Sequence, residues 1–302
     1  MTQTALILGA TGRFGRNACE QFSRAGWDTR RFDRANENLT TAAKGADVIV
    51  NAWNPPYPDW ARQVPKLHAD VIDAAKQTGA TVIVPGNVYV FGQKTPGPWS
   101  EASPHAAQNP LGRIRIDMEA AYRRSGVRTI ILRAGDFLDT EASGNWFDAI
   151  MLKSLRKGVF TYPGNPDIDH AWAYLPDVCR AAVQLAGMRD QLPVFVDIPF
   201  PGYTTTGSDI TAHLSRITGS DLHLKRMSWL PLHLARPFWK MATSLLEMRY
   251  LWITAHQLDG TLFTSLLPDF RATPIDDALA SAIPSNLVQR QIHPDQPVPA
   301  GG

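Results

Sequence analysis

The sequence predicts a doubly wound α/β fold, in which helices cover both faces of a parallel sheet, followed by a smaller mixed lobe at the C-terminal end. Two observations support this prediction. Short apolar runs alternate with helix-length segments over residues 5–132, an alternation typical of parallel sheets covered on both faces. Beyond Asp136 the alternation stops, and aromatic and polar residues are mixed. The second half is therefore expected to be built differently.

The regular segments of the first half can be assigned in chain order. Strands are predicted at Ala5–Leu8, Thr29–Phe32, Val48–Ala52, Val82–Val84 and Thr129–Leu132, and all of these short runs except Thr29–Phe32 are mainly apolar. Longer segments between them predict helices at Arg13–Ala25, Val64–Thr78 and Ile114–Ser125. Gly26 follows the first helix at the position where glycine commonly ends one. Together these strands and helices form the repeating pattern of a doubly wound sheet.

The second half predicts fewer strands and more helices. A loop is expected at PGNPDIDHAWAY, a strand at VFVDI, and helices near Trp146–Lys157, Pro176–Ala186, Ser208–Thr218, Trp229–Trp252 and Thr273–Ile283. We divide the chain into a dinucleotide-binding domain at 1–187, a smaller substrate lobe at 188–290 and a tail at 291–302. Part of 137–175 is expected to face the substrate pocket. The tail is rich in Pro and Gly and is predicted to be disordered.

Aromatic residues are concentrated in the second half. The chain has nine Trp, which predict a core or pocket built from large rings. His170, Trp172 and Tyr174 are expected to shape the substrate pocket. The stretch FWKMATSLLEMRYLW is predicted to pack in the core of the smaller lobe, with a partner surface or an amphipathic membrane face as alternatives.

The composition limits which classes of binding partner and which cellular compartment are expected. A net charge of +2 predicts neither a nucleic-acid nor a membrane partner. Cys19 and Cys179 provide no metal-ligand spacing and no disulfide framework, so we expect no metal and a reducing compartment. The sequence enters a strand at once, without a charged leader, and has no apolar run of about 20 residues that could span a bilayer. A cytoplasmic protein is expected, and a homodimer is left open.

A glycine-rich stretch, GATGRFG, lies between the first predicted strand and the first predicted helix. Gly9 would permit a tight turn, Gly12 would let the backbone approach a pyrophosphate, and Gly15 would let the helix pack closely on the sheet. The N-terminus of the helix then offers unpaired N–H groups to phosphate oxygens. Strand, glycines, helix and an acidic residue about 20 positions later together predict dinucleotide binding.

Asp33, at the end of the second predicted strand, is the acidic residue of this pattern. A carboxylate at this place accepts hydrogen bonds from the 2′-hydroxyl of a ribose and repels a 2′-phosphate, which favours NAD. Arg34, together with Arg13, could bind that phosphate instead. NAD is therefore the predicted cofactor, with NADP as the alternative.

Several stretches resemble the extended short-chain dehydrogenase/reductase family, also called the NAD-dependent epimerase/dehydratase family. The glycines have the family's Gly-x-x-Gly-x-x-Gly spacing, and ADVIVNAW, VIVPGNVYVFG, LRAGDF and YLPDVCRAA are similar to later family segments in the same order. The resemblance implies a Rossmann-type domain with a small substrate lobe. The predicted cofactor contacts are Gly9, Thr11, Gly12, Arg13, Phe14, Gly15, Asp33, Arg34, Asn51, Ala52, Trp53 and Arg115.

The sequence departs from this family in two places. Between Asp33 and Val48 too little chain remains for the usual helix and third strand, so the adenine pocket is expected to be smaller. The family also uses a tyrosine and, four residues later, a lysine as its catalytic pair. No tyrosine of this chain has a lysine four residues later, and Leu111 and Arg115 stand where the pair is expected. Leu111 cannot transfer a proton, and Arg115 is suited to a ribose or a phosphate.

Other residues must therefore carry any proton transfer. Asn87 occupies the family's Ser/Thr position, and Tyr89 in the same turn is our candidate acid/base, with packing as its alternative role. Asp136 is a second candidate, whose alternative role is to cap a turn. We expect an NAD(P)-dependent oxidoreductase or epimerase-like enzyme that acts on a small hydroxyl- or carbonyl-bearing substrate, a sugar derivative being one candidate. The rival hypothesis is a catalytically silent NAD(P)-binding regulator or redox sensor.

Overall fold

The computed structural model describes residues 2–285 and residue 287, so the predicted tail at 291–302 lies outside the described residues. The strands are β1 (Thr4–Leu8), β2 (Asp28–Arg31), β3 (Val48–Asn51), β4 (Thr81–Gly86), β5 (Thr129–Arg133), β6 (Asp136–Leu138), β7 (Val159–Tyr162), β8 (His170–Tyr174), β9 (Phe195–Pro199), β10 (Tyr203–Thr205) and β11 (His223–Arg226). The helices are α1 (Arg13–Arg24), α2 (Leu39–Ala42), α3 (Trp60–Thr78), α4 (Pro110–Ser125), α5 (Leu175–Gly187), α6 (Gly207–Thr218), α7 (Leu230–Ala235), α8 (Lys240–Glu247), α9 (Thr261–Leu266) and α10 (Ile275–Ala282).

The central sheet is parallel and has six strands in the order β2-β1-β3-β4-β5-β9. From β1 the chain moves outward to β2 on one side and then returns to β3 on the other side. This reversal leaves a crevice at the carboxyl ends of β1 and β3, where doubly wound proteins bind their ligands. The predicted fold class is confirmed.

Two apolar cores lie on the two faces of this sheet, because successive side chains of a strand point to opposite faces. Ala5 and Ile7 of β1 pack with α1 and α5, whereas Leu6 and Leu8 pack with α3 and α4. Every residue of β1, β3 and β5 is buried, as expected for strands that are covered on both faces.

The connection from β2 to β3 is short, as the chain length between Asp33 and Val48 predicts. It contains only the single-turn helix α2, whose first turn is capped by the side chain of Asn38 accepting from Thr41 N–H at 3.0 Å. The crevice is therefore open on this side, next to β2.

The second lobe is built around small sheets and large rings. Strands β10, β8 and β6 form one sheet, and β11 pairs with β7 in another. Trp172, Trp252, Phe147 and Phe160 are almost completely buried in the core between them. β9 lies beyond the predicted boundary at residue 187, yet it pairs with β5 in the central sheet. The division into 1–187 and 188–290 remains a prediction.

Three expectations for the second half are wrong. The helix expected at Trp146–Lys157 is a π-helical turn at Phe147–Met151 and a separate 3-10 turn at Leu155–Lys157. HAWAY, expected in a loop, forms β8, because its side chains are buried on both faces of the strand.

The helix expected at Trp229–Trp252 is divided into α7, α8 and a 3-10 turn at Met248–Trp252. Pro237 lies between α7 and α8, where it cannot donate a helical hydrogen bond.

None of the helices in the described part of the chain combines the length and the apolar character that a transmembrane span requires.

Candidate active site

A cavity of about 590 Å³ occupies the crevice at the carboxyl ends of the central strands. Its wall begins at the glycine loop after β1 and continues along the segments that follow β3, β4 and β5. The predicted residues that line it are Gly9, Thr11, Gly12, Arg13, Phe14, Arg34, Asn51, Ala52, Trp53, Asn87, Tyr89, Arg115 and Asp136. The structure therefore brings predicted residues from six separate segments of the sequence to one cavity.

The glycine loop forms the floor of this cavity. Gly9 has φ +74, a conformation that favours glycine, and a Cβ at this position would lie 3.1 Å from Trp53 Cδ1. Gly12 is the exposed N-cap of α1, and no side chain caps this end of the helix. The first turn of α1 has no acidic residue. Its N–H groups and positive dipole end are therefore available to an anion.

Gly15 has a different role from Gly12. It is buried and does not line the cavity, and a Cβ at this position would lie 2.1 Å from Gly9 O. It permits α1 to approach the loop closely, as predicted.

Asp33 also lies outside the cavity wall. Its carboxylate accepts hydrogen bonds from Ala35 N–H at 2.9 Å and from Asn36 Nδ2 at 2.6 Å, and these bonds lower its pKa. Arg34 does line the cavity, and its guanidinium carbon lies 5.8 Å from the centre of the Trp53 ring. Arg34 therefore has more direct access to a ligand in the cavity than Asp33 has.

Two tyrosines form a hydrogen-bonded pair in the wall. Tyr57 Oη and Tyr89 Oη are 2.6 Å apart, although one residue follows β3 and the other follows β4. The Tyr89 ring stacks on Trp60, with 6.2 Å between the ring centres, and Tyr57 packs edge-on against the same ring at 5.1 Å. Trp60 holds its own orientation by donating from Nε1 to Pro55 O at 2.8 Å.

Both phenols are held in the neutral form. Burial raises the pKa of Tyr89 well above its ordinary value, and the neighbouring charges of Tyr57 and Asp136 raise it further. Burial also raises the pKa of Tyr57, against an opposing effect of its hydrogen bond with Tyr89. At neutral pH this pair can donate a proton to a ligand oxygen, but neither phenol is a ready base.

Asp136 lies in the same wall and is paired with a buried histidine. His170 Nε2 is 2.8 Å from Asp136 Oδ2, and the imidazole stacks on Trp252 with 4.4 Å between the ring centres. His256 contacts the other side of the cluster, 4.4 Å from His170. Asp136 is the first residue of β6, and among the described residues its side chain pairs with His170 and not with a backbone N–H of a turn, so its predicted alternative role is not observed there.

Arg115 enters the cavity from α4. Its Nη2 donates to Pro85 O at 2.7 Å, and its guanidinium carbon is 5.9 Å from the centre of the Trp60 ring. Within the described part of the chain, Arg115 Nε is buried and has no hydrogen-bond partner. Because a buried guanidinium N–H without an acceptor is costly, this donor is suited to an oxygen of a ligand in the cavity. Burial lowers the pKa of Arg115.

Leu111, one turn earlier on α4, is buried in the apolar core and lies outside the cavity wall. Its N–H donates to Glu247 Oε1 at 2.7 Å. The position expected for a catalytic tyrosine is thus a packing position in this chain.

Asn87 is fixed by a buried ionic cluster. Its Oδ1 accepts from Tyr89 N–H at 3.1 Å, and its backbone carbonyl accepts from Arg133 Nη1. Arg133 is fully buried and forms ion pairs with Glu119 and Asp197. His105 lies 3.8 Å from Glu119 and 3.7 Å from Asp197, and these three side chains are close enough together to hold a metal ion. In this structure the guanidinium of Arg133 contacts both carboxylates and supplies the positive charge. The cluster joins α4, β5 and β9 beneath the turn that carries Tyr89.

Asn51 is held in a similar way at the end of β3. Its Nδ2 donates to Tyr122 Oη at 3.2 Å and lies 3.2 Å from His68 Nδ1. Burial lowers the pKa of His68 to about 3, so this imidazole is neutral.

Sequence reasoning missed several cavity residues, above all Tyr57, Trp60, His68 and Trp146. Tyr57 and Trp60 belong to WNPPYPDW, which directly follows β3, and this position at a strand end was the available signal. Conversely, His170, Trp172 and Tyr174 do not line the cavity. They are buried in β8, and His170 reaches the cavity only through Asp136.

No protein-family model matches the sequence, and a search of curated proteins gives no significant match. Solved structures are similar over nearly the whole chain. MoeE5 in complex with UDP-glucose and NAD has a TM-score of 0.71 at 17% identity, covering 92% of this chain and 97% of that one. UDP-glucuronic acid 4-epimerase from Bacillus cereus in complex with NAD has a TM-score of 0.70 at 15% identity, covering 92% and 94%.

L-threonine dehydrogenase from Phytophthora infestans has a TM-score of 0.70 at 16% identity and covers 93% of this chain and 97% of its own. Several of the similar structures contain NAD. At these identities the likeness concerns the fold. This chain therefore has the fold of the epimerases and dehydrogenases represented by these structures, as the sequence resemblance predicts.

Proposed function

We propose that the cavity binds a nicotinamide dinucleotide and that the protein is an oxidoreductase or epimerase-like enzyme acting on a small hydroxyl- or carbonyl-bearing substrate, with a sugar derivative as one candidate. One observation carries the proposal: the glycine loop and the Tyr57–Tyr89 pair line the same cavity. A cavity that only sensed a dinucleotide would not need a hydrogen-bonded pair of phenols in its wall. The likeness to structures that contain NAD and a nucleotide sugar supports the same conclusion.

The residues of the cavity suit a dinucleotide in their order along the wall. The uncapped N-terminus of α1 and Gly12 would bind the pyrophosphate. Arg115 would donate from its unpartnered Nε to a ribose hydroxyl or a phosphate oxygen. A nicotinamide bound in this way would supply or accept the hydride.

Tyr89 would act as the proton donor to the substrate oxygen. The phenol is protonated at neutral pH and, because burial raises its pKa, it would give up the proton only to a more basic oxygen, such as the alkoxide left when a carbonyl accepts a hydride. The hydrogen bond with Tyr57 holds the two hydroxyls together. Asp136, paired with His170, is the second candidate for proton exchange in the same wall.

NAD is the proposed cofactor, with NADP as the alternative. Asp33 supports NAD through its charge, although its carboxylate is bound to its own turn. Arg34 supports NADP through its place in the cavity wall. If the protein binds NADP at least tenfold tighter than NAD, a difference of roughly 1.4 kcal/mol, the arginine decides the preference.

Calorimetric titration of NAD and NADP into the unmodified chain and into Gly12→Val tests the dinucleotide site. Gly12 is exposed and a Cβ there meets only Gly9 O at 3.3 Å, so the variant is expected to fold but to lose binding. Unchanged affinity in folded Gly12→Val would contradict the site. A panel of sugars and alcohols then tests turnover, and binding without any turnover would favour the regulator hypothesis.

A further inference from the structure

A group of large apolar side chains on and after α7 is exposed to solvent. Leu230, Leu234, Phe238 and Trp239 have exposed fractions of 62%, 68%, 93% and 50%. The first three are spaced four residues apart, and the turn after α7 keeps a helical course, since Trp239 N–H donates to Ala235 O at 2.9 Å. They therefore follow one side of the helix and its extension. We call these four side chains the α7 surface.

The charges near the α7 surface are mainly positive, although Asp59, whose pKa is lowered by Arg62 and also by Lys240, lies close to one of the basic residues. Residues 222–246 contain Lys225, Arg226, Arg236 and Lys240 but no Asp or Glu. All four basic residues are exposed. Since the whole chain has a net charge of only +2, this short segment is a local concentration of positive charge on a nearly balanced molecule.

We propose that the α7 surface docks on an anionic membrane surface. Phe238 and Trp239 would enter the boundary between headgroups and acyl chains, and the flanking Arg236 and Lys240 would bind anionic headgroups. Exposed aromatic and leucine side chains next to basic ones are the composition of membrane-surface helices. A second copy of the chain is the alternative occupant, since aromatic side chains and Arg are also enriched at protein interfaces, and the experiment below distinguishes the two.

The α7 surface lies next to segments that contact the wall of the cavity. Trp229, directly before α7, packs against the cavity residue Trp146 with 5.9 Å between the ring centres. α8 contacts the segment Tyr57–Asp59, which carries one phenol of the pair. Docking would therefore hold the cavity close to the bilayer surface. The docking proposal itself does not depend on which ligand the cavity binds.

Co-sedimentation of the full chain with lipid vesicles tests the proposal. Vesicles of phosphatidylglycerol and phosphatidylcholine should bind the protein at low salt, and vesicles of phosphatidylcholine alone should bind it far less. High salt should weaken binding, because it screens the basic residues. The double variant Phe238→Ser/Trp239→Ser should lower the partition coefficient at least about tenfold. The variant Arg236→Gln/Lys240→Gln should lower it about fivefold for each charge removed.

Matched controls change similar residues elsewhere. Val194→Ser replaces an apolar side chain that is 50% exposed, in the loop before β9. Lys76→Gln/Arg124→Gln removes two exposed charges, from α3 and α4. Both controls should bind vesicles like the unmodified chain, and circular dichroism should show that every variant is folded.

Three results would overturn the proposal. The first is an unmodified chain that stays in solution with anionic vesicles at low salt. The second is equal binding by Phe238→Ser/Trp239→Ser and the unmodified chain. The third is a dimer, measured by sedimentation, that this double variant dissociates, since a second copy of the chain would then be the occupant of the α7 surface.

Discussion

Tyr89 and Tyr57 are the side chains on which proton transfer in this cavity depends. Their hydroxyls are 2.6 Å apart, and they come from segments that follow neighbouring strands of the central sheet. The arrangement differs from a tyrosine and a lysine on one helix, because no neighbouring ammonium lowers the pKa of Tyr89 and burial raises it instead. The phenol therefore stays protonated until a strongly basic oxygen faces it.

Replacement of Tyr89 by Phe should lower turnover by at least about 10²-fold once a substrate is identified, because the proton donor is lost. Affinity for the dinucleotide should barely change, since the phenol does not hold the phosphates. Tyr57→Phe should cause a smaller loss, because it removes only the hydrogen bond that orients Tyr89. Steady-state kinetics and calorimetry on the three proteins measure both effects. Near-normal turnover by Tyr89→Phe would transfer the role to Asp136 or to water.

Arg115→Lys should weaken dinucleotide binding modestly. An ammonium cannot reproduce both the bond to Pro85 O and the free Nε donor of the guanidinium. The variant should not gain activity, because Leu111 still provides no phenol at the position one turn earlier. Arg113→Lys, at an exposed position on the same helix, is the control and should bind normally. Equal affinities for all three proteins would leave Arg115 with a structural role only.

Among single residues, the sequence predicted the site best where backbone geometry dictates the residue type. Gly9 and Gly15 have the spatial reasons that their spacing implies, whereas the approach of Gly12 to a pyrophosphate stays a prediction. Asp33 was harder, because a carboxylate at a strand end can turn toward its own loop, as it does here. Tyr57 could not be paired with Tyr89 in advance, because the distance between two loops depends on tertiary packing.

At the scale of elements, the loop and the start of α1 form one unit whose fit depends on Gly15. A Cβ at this position would lie 2.1 Å from Gly9 O and 2.7 Å from Gly9 C, which are backbone atoms that cannot rotate away. Gly15→Ala should therefore lower the free energy of unfolding by about 1–3 kcal/mol, as overpacking typically does. Gly12→Ala, whose Cβ has one contact at 3.3 Å, is the control and should lower it less. Urea unfolding of both variants measures the difference, and equal stability would contradict the role of Gly15.

Strands and helices could be predicted where the same hydrophobic pattern continues through the whole segment. β1, β3 and β5 are apolar except at their first or last residues and were predicted within about two residues. The helix expected at Trp229–Trp252 failed because Pro237 interrupts a pattern that is otherwise helical. β8 was missed because its aromatic and polar residues do not alternate, although tertiary packing buries all of them.

At the scale of the molecule, two buried neutral histidines make stability depend on pH. Burial lowers the pKa of His68 and of His256 to about 3. His256 Nδ1 donates to Thr254 O at 2.8 Å, while its Nε2 is buried and has no partner, so protonation there would bury an unpaired charge. The unfolded chain binds these protons at about pH 6.5, and the folded chain does not. The contribution of these histidines to the free energy of unfolding should therefore be fully present above pH 6.5. It should decrease as the pH falls from 6.5 toward 3.

The expected slope is up to about 1.4 kcal/mol per pH unit for each histidine over this range. His256→Gln should remove one of the two contributions and flatten the curve, even if it lowers stability at pH 7. Urea unfolding at several pH values from 7 to about 4 measures the slope. An unchanged slope in His256→Gln would show that the pKa of this histidine is not lowered in the folded protein.

The return of the chain to the central sheet as β9 makes the smaller lobe part of the folding unit of the larger one. A fragment of residues 1–187 would lack β9, and β5 would become an edge strand with unpaired backbone groups along five buried residues. We expect the fragment 1–187 to aggregate. A longer fragment, 1–206, keeps β9 and should aggregate less, and light scattering would measure the difference. Monomeric, folded 1–187 would contradict this. If the substrate lobes of two proteins with this fold were exchanged, β9 would have to be exchanged with them. A cut at residue 187 separates β9 from the other five strands of the central sheet, whereas an ordinary domain boundary lies in a linker.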